Sequence, residues 1–276
     1  MIFKLNNNNL TNINNIKTKI IIFILILIIL LVILIIYFKY NYDYNNKNNE
    51  GFEDSKEIVE LKREDGINNI DQILFINLDN RKDRLEAITK QLKNQGVNME
   101  KVHRIIAHYT PGNGHLGCSK SHRDAVQYAL NNNFENIIIL EDDFKFNTSP
   151  EETKNLFNKL FNEVDKMDWD VIMLDQREGI IEKTKYSFLN KITNAIGGFG
   201  YIINKKYYQI LIDTFQKSVD NMSIEKTSEI GSEKWSLDQV WKVNQKNDKW
   251  LVFDPLIGKH DDELFSSIET ITNYNK

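Results

Sequence analysis

Residues 136–143 read Asn-Ile-Ile-Ile-Leu-Glu-Asp-Asp. Ile137 to Leu140 form an unbroken apolar run, and Glu141, Asp142 and Asp143 follow it directly. A short apolar run of this kind reads as a strand buried on both faces. In open α/β sheets ligands sit beyond the carboxyl ends of the strands, which is where these three acids stand. In extended backbone Glu141 and Asp143 face one way and Asp142 the other. Two carboxylates on one side repel each other unless a cation lies between them, and such oxygen donors suit Mg²⁺ or Mn²⁺. A solvated acidic turn ending a strand is the bland reading of the same residues.

The flanking segments alternate. Residues 72–78 form an apolar run that reads as a strand. Residues 84–95 carry Leu85, Ile88 and Leu92 at helical spacing and end at Gly96. A second strand is expected at 102–107, a Gly- and Pro-containing loop at 110–117, and a helix at 119–130. Pro150 opens an amphipathic helix with Leu156, Phe157, Leu160, Phe161 and Val164, and residues 169–174 read as another strand. Strands alternating with helices predict an α/β domain with a largely parallel sheet.

The chain has 276 residues and a formal net charge of −4, so no general basic field draws nucleic acid to it. Its 41% hydrophobic and 27% charged residues are those of a globular chain. A single cysteine, Cys118, excludes an internal disulfide and a multi-cysteine zinc site. Cys118 has no visible base partner and reads as a small buried residue rather than a nucleophile.

Residues 20–37 contain no charge, proline or glycine. As a helix they extend about 27 Å, close to the hydrocarbon core of a bilayer. No small-residue cleavage site follows, so the run reads as an uncleaved signal anchor at 20–38. Lys17 and Lys19 before it against Lys39 after it favour a cytosolic N-terminus, which puts the bulk of the chain in a lumen or outside. The expected organisation is a cytosolic tail at 1–19, the anchor, an Asn- and charge-rich stem at 39–70, and a catalytic domain at 71–276.

Four stretches resemble glycosyltransferase family 25, which includes lipopolysaccharide β-galactosyltransferases and the procollagen galactosyltransferase domain. They are INLDNRKDRL at 76–85, GCSKSH at 117–122, LEDD at 140–143, and GGFGYIIN at 197–204 followed by LDQ at 237–239. Their order and spacing match over most of residues 71–265. The resemblance implies a GT-A-type nucleotide-sugar-binding sandwich, a UDP-sugar donor, a Mn²⁺ or Mg²⁺ ion, and inverting transfer. A metal held by carboxylates would stabilise charge on the leaving diphosphate, and inversion needs a base for the acceptor hydroxyl.

The resemblance also implies roles for individual residues. Glu141 and Asp143 hold metal and diphosphate, while Asp142 caps the next turn or touches the ribose. Asn77, Arg81 and Arg84 contact the nucleotide, or for the arginines solvate a helix start. Ser121 and His122 line the donor site. His122 either bonds the diphosphate or sugar, or is a satisfied core histidine that fixes the adjacent loop. Gly198 lets backbone approach the donor sugar, with a tight turn into the next strand as the alternative. Asp238 is the expected base, with a helix-start carboxylate as the alternative. His260 stands near a position the family fills with another polar residue and is a candidate third metal ligand. Near the end, Ser267 stands in place of the family's acidic residue. The sequon at Asn147 precedes Pro150 and is expected to stay unmodified; the one at Asn221 is usable only in a secretory lumen.

Galactose is the first expected sugar and glucose the second. The expected acceptor is a glycan, a glycolipid or hydroxylysine in a collagen-like protein. Two other classes fit less well: a metal-dependent phosphohydrolase, for which five scattered histidines offer no evident two-metal set, and a non-catalytic membrane-tethered binding protein on a degenerate transferase fold.

Overall fold

The computed structural model describes residues 31–32, 34–35, 37, 39, 64–224 and 233–263. The expected cytosolic tail, most of the anchor and most of the stem lie outside the described residues, as does Ser267. Among the described residues, no helix is long and apolar enough to cross a membrane. The described residues 64–224 and 233–263 belong to one compact unit. It takes in the last residues of the expected stem: Ile67 and Ile70 are buried in the core, and Gly66 N donates to Asn158 Oδ1.

An eight-stranded sheet runs in the order β2-β1-β3-β8-β5-β9-β7-β6. Its strands are β1 (Gln72–Asn77), β2 (Val102–Ile106), β3 (Asn136–Glu141), β5 (Val171–Met173), β6 (Glu178–Lys183), β7 (Leu189–Ile196), β8 (Gly200–Asn204) and β9 (Trp250–Phe253). A separate two-stranded ribbon pairs β4 (Phe144–Phe146) with β10 (Gly258–His260). The helices are α1 (Lys82–Asn94), α2 (Gly114–Asn131), α3 (Pro150–Glu163), α4 (Tyr208–Ile224) and two short ones, α5 (Leu237–Val240) and α6 (Lys242–Asn247).

The sheet is mixed rather than largely parallel. β1 is parallel to β2 and β3, but β8 lies antiparallel between β3 and β5. The hairpin β6–β7 then adds an antiparallel edge. Two-residue alternation sorts the strand side chains into two cores. Ile73, Phe75, Ile138, Leu140, Ile172 and Ile202 face α1 and α3. Leu74, Ile76, Ile137, Ile139, Tyr201 and Ile203 face α2, α4, Trp241 and Trp250. Helices on both faces explain why β3 reads as a continuous apolar run.

Local signals set the helix starts. Ser149 accepts from Glu152 N and Pro150 fills the first position of α3. Asn113 accepts from Leu116 N, so α2 begins at Gly114, ahead of the expected Ser119, and carries the whole Gly117–His122 stretch.

Candidate active site

The acidic run lies where β3 stops and the chain turns into β4. Asp142 and Asp143 do not face opposite ways. Arg84, in the first turn of α1, donates from Nη1 to Asp142 Oδ1 and to Asp143 Oδ2, each at 2.7 Å. Arg84 is only 4% exposed, and both aspartates are buried. The turn follows from charge: two neighbouring carboxylates leave water together only when a cation meets both. Asn77, at the end of β1, donates to Asp142 Oδ2 at 2.7 Å and to the Arg81 carbonyl. The two acids differ. Burial raises the Asp142 carboxyl above the usual range despite Arg84 and Asn77. Burial also acts against ionisation of Asp143, but His260 and Arg84 outweigh it and hold that carboxyl low.

The ribbon of β4 and β10 brings His260 to the turn. Asp261 N donates to the Asp143 carbonyl at 2.8 Å, and Gly258 pairs with Phe146. Between them the Phe144 ring lies so close over Gly200 and Gly258 that a Cβ at either position would overlap it. His260 Nε2 lies 3.5 Å from Asp143 Oδ2, and its Nδ1 lies 2.9 Å from Asp262 Oδ1. The hydrogen bond to Asp143 is the main reason its pKa rises to about 9. Asp143 Oδ1 is buried and has no hydrogen-bond partner among the described residues. An acceptor stripped of water and left open, beside an imidazole, fits a divalent cation; the oxygen and nitrogen donors suit Mn²⁺ or Mg²⁺.

Glu141 turns elsewhere. Its Oε1 lies 3.2 Å from His122 Nε2 and accepts from Cys118 Sγ at 3.7 Å, both on α2. His122 is fully buried and holds Tyr201 OH at 2.7 Å through Nδ1. Burial and the Glu141 charge push the Cys118 thiol well up, which keeps it protonated. Ser121 donates to the Gly117 carbonyl and accepts from His108 N, pinning the loop after β2 to α2. Its hydroxyl is spent there.

The Gly197–Gly200 segment lines the cleft beside β3, where Glu141 N donates to the Phe199 carbonyl at 2.8 Å. Gly197 has φ +94°, a conformation that side chains resist. A carboxyl group holds each end of the segment: Asp238 Oδ2 accepts from Gly197 N at 3.2 Å, and Asp175 Oδ1 accepts from Gly200 N at 2.8 Å. Asp238 also accepts from Ser236 Oγ at 2.5 Å. Burial lifts the Asp175 carboxyl to about 8. Arg177 stacks its guanidinium on Phe199, 4.8 Å from the ring centroid.

One cleft of about 280 Å³ gathers Arg84, Ser121, His122, Glu141, Asp143, Gly198, Asp238 and His260. Asn77 and Arg81 are not on its wall. Asn77 lies behind the acidic turn, 1% exposed, and the Arg81 guanidinium binds Asp83 at 2.8 Å at the start of α1. The expected metal trio is split as well: His260 stands beside Asp143, while Glu141 faces His122 and Cys118. Sequence reasoning missed Asp175 and Arg177. Both follow β5, and the rule that ligands gather beyond strand ends was the signal that could have found them.

Residues 100–226 match the family model described as glycosyltransferase family 25 (LPS biosynthesis protein). A mouse protein, procollagen galactosyltransferase 2, is 22% identical over 157 residues, covering 48% of this chain and 25% of that protein. The chain thus corresponds to a quarter of that relative's length. Among solved structures, mannose-1-phosphate geranyltransferase from Thermus thermophilus aligns with TM-score 0.40 at 10% identity, over 66% of this chain and 72% of the other. A glycosyltransferase involved in glycosylation of the major capsid of PBCV-1 aligns with TM-score 0.40 at 14% identity, over 67% and 81%.

Proposed function

We infer that this chain is a glycosyltransferase of family 25 and moves a hexose from a UDP-sugar to an acceptor hydroxyl in the cleft lined by the acidic turn and the Gly197–Gly200 segment. The observation that carries this reading is the convergence of stretches far apart in sequence on one cleft: Arg84, His122, Asp143, Gly198, Asp238 and His260 all line it. A mixed sheet with acids at the end of a central strand suits a GT-A nucleotide site.

Asp143 and His260 are the residues that would hold Mn²⁺ or Mg²⁺, while Glu141 stands apart on His122 and Cys118. When bound, the ion supplies positive charge for the leaving diphosphate. Arg84 fixes the Asp143 carboxylate and keeps it ionised. Gly198 lines the cleft and offers the sugar a backbone surface, while packing independently demands glycine, since a Cβ would press on Leu237 and Trp241 at 3.1 and 3.3 Å. Asp238 takes the acceptor proton, its carboxylate aimed by Gly197 N and Ser236 Oγ. Attack from the face opposite the diphosphate inverts the donor's α-linkage to β. Galactose is the first candidate sugar and glucose the second; a glycan, a glycolipid and hydroxylysine are the candidate acceptors. The apolar run at 20–37 supports a single-pass anchor with a cytosolic N-terminus and the cleft in a lumen or outside.

The test is UDP release by the full chain from UDP-galactose, UDP-glucose, UDP-N-acetylglucosamine or UDP-glucuronate with Mn²⁺. Release from one donor, lost with EDTA and in Asp143→Asn, is expected. No release from any donor, together with no UDP–Mn²⁺ binding by calorimetry, overturns the reading.

A further inference from the structure

The same cleft holds a second group of ligand atoms of different character. Cys118 Sγ, His122 Nε2 and Glu141 Oε1 all lie within 4.8 Å of one another. Sulfur and oxygen are 3.7 Å apart, and nitrogen and oxygen 3.2 Å apart. Tetrahedral Zn²⁺ bonds of about 2.3 Å to sulfur, 2.1 Å to nitrogen and 2.0 Å to oxygen put sulfur and oxygen about 3.5 Å apart and nitrogen and oxygen about 3.3 Å apart. Two edges of the ligand triangle therefore already have nearly the required length.

The surroundings of His122 fit the same reading. Its ring is fully buried, stacked with Tyr201 and edge-on to Phe215. Its Nδ1 lies 2.7 Å from Tyr201 OH. With that nitrogen donating to the phenol oxygen, Nε2 presents its lone pair toward Glu141, which is how metal-binding histidines are oriented by their outer partner. All three residues line the cleft, so a fourth coordination position opens on it. Thiolate with imidazole favours Zn²⁺ over Mn²⁺ and Mg²⁺, whereas the oxygen-rich turn at Asp143 has the opposite preference.

We propose that Cys118, His122 and Glu141 form a Zn²⁺ site distinct from the one at Asp143, and that filling it inhibits transfer by drawing Glu141 away from the donor. Binding forms a zinc–sulfur bond and releases the thiol proton to solvent, with no change of oxidation state. The binding claim stands on the three ligands alone; the inhibition claim rests on the transferase reading above.

Co²⁺ is the spectroscopic probe, added to the full chain. One equivalent should give a sulfur-to-cobalt charge-transfer band with intense tetrahedral d–d bands. Stoichiometric Zn²⁺ should abolish both, and excess Mg²⁺ should leave them. Cys118→Ser and Cys118→Ala, checked for folding by circular dichroism, should lose the charge-transfer band. No such band in the wild-type chain, or one that persists in both variants, overturns the site. For inhibition, the half-inhibitory Zn²⁺ concentration at saturating Mn²⁺ should rise at least about tenfold in Cys118→Ser, the loss of one strong ligand. Equal zinc sensitivity overturns the inhibitory role. A chain that gives the cobalt spectrum but never turns over a UDP-sugar sinks the transferase reading and leaves the site standing.

Discussion

Replacing Asp175 with asparagine removes a buried titratable carboxyl while keeping an oxygen to accept from Gly200 N. Asp175 is 2% exposed, and the charges of Glu141 and Asp143 add to the effect of burial. Its carboxyl is raised from 3.8 to about 8 in the folded chain. Below about pH 4 the group is protonated in both states and contributes its full stability. As pH rises toward 8 the unfolded chain releases a proton that the folded chain retains, so stability falls through that window and the contribution is gone above it. At about 1.4 kcal/mol per unit, a shift of roughly four units sets a ceiling of about 6 kcal/mol. Relaxation at an effective dielectric near 20 trims this to about 2–3 kcal/mol. Urea unfolding followed by tryptophan fluorescence measures it, since Trp241 and Trp250 are buried beside the site. Asp175→Asn should match the wild type near pH 3 and exceed it by at least about 2 kcal/mol near pH 8, a midpoint shift of about 1 M. The wild-type minus variant difference cancels other titrations, His260 among them. Parallel pH curves for the two proteins would refute the buried-carboxyl argument.

Other consequences are equally direct. Arg84→Met leaves Asp142 and Asp143 buried without their cation and should cost about 3–5 kcal/mol, read by thermal unfolding; a loss under about 1 kcal/mol would mean that water reaches the turn. Gly258→Ala forces a methyl group into the Phe144 ring and should destabilise the chain by about 1–3 kcal/mol, displacing His260; an unchanged urea midpoint would mean the ring is free to move. Asp238→Asn should lower transfer at least about 100-fold while UDP–Mn²⁺ binding by calorimetry stays within about twofold; retained turnover would remove Asp238 as the base.

Much of the frame was legible in the chain because it obeys local rules. Ile137–Leu140 is covered on both faces and therefore carries no polar residue, and Ser149-Pro150 starts a helix by the usual capping chemistry. Strand direction was not legible. β8 runs against both its neighbours, and nothing in Gly200–Asn204 encodes the direction of the strands beside it. The acids at 141–143 were legible as a group but not in their partners. Extended backbone predicted that Glu141 and Asp143 would share a side, whereas a turn and a guanidinium 58 residues away decided otherwise. His122 was read as either ligand contact or fixed core histidine, and both ring nitrogens have partners, Tyr201 and Glu141, while the residue also lines the cleft. Asp175 went unnoticed because an acid after a strand looks solvated until the segment that buries it, Gly197–Gly200, is folded over it.

The ribbon of β4 and β10 also sets a timetable. Lys145 and Asp261, which meet across it, are 116 residues apart in the chain. At 5–20 residues per second a ribosome needs roughly 6–23 seconds to travel between them. For that interval the nascent chain holds Arg84, Asp142 and Asp143 but has no strand to seat the Phe144 ring and no imidazole beside the open oxygen of Asp143. The cleft is therefore finished last, after the sheet that supports it, and the newborn protein has no finished cleft until β10 is in place.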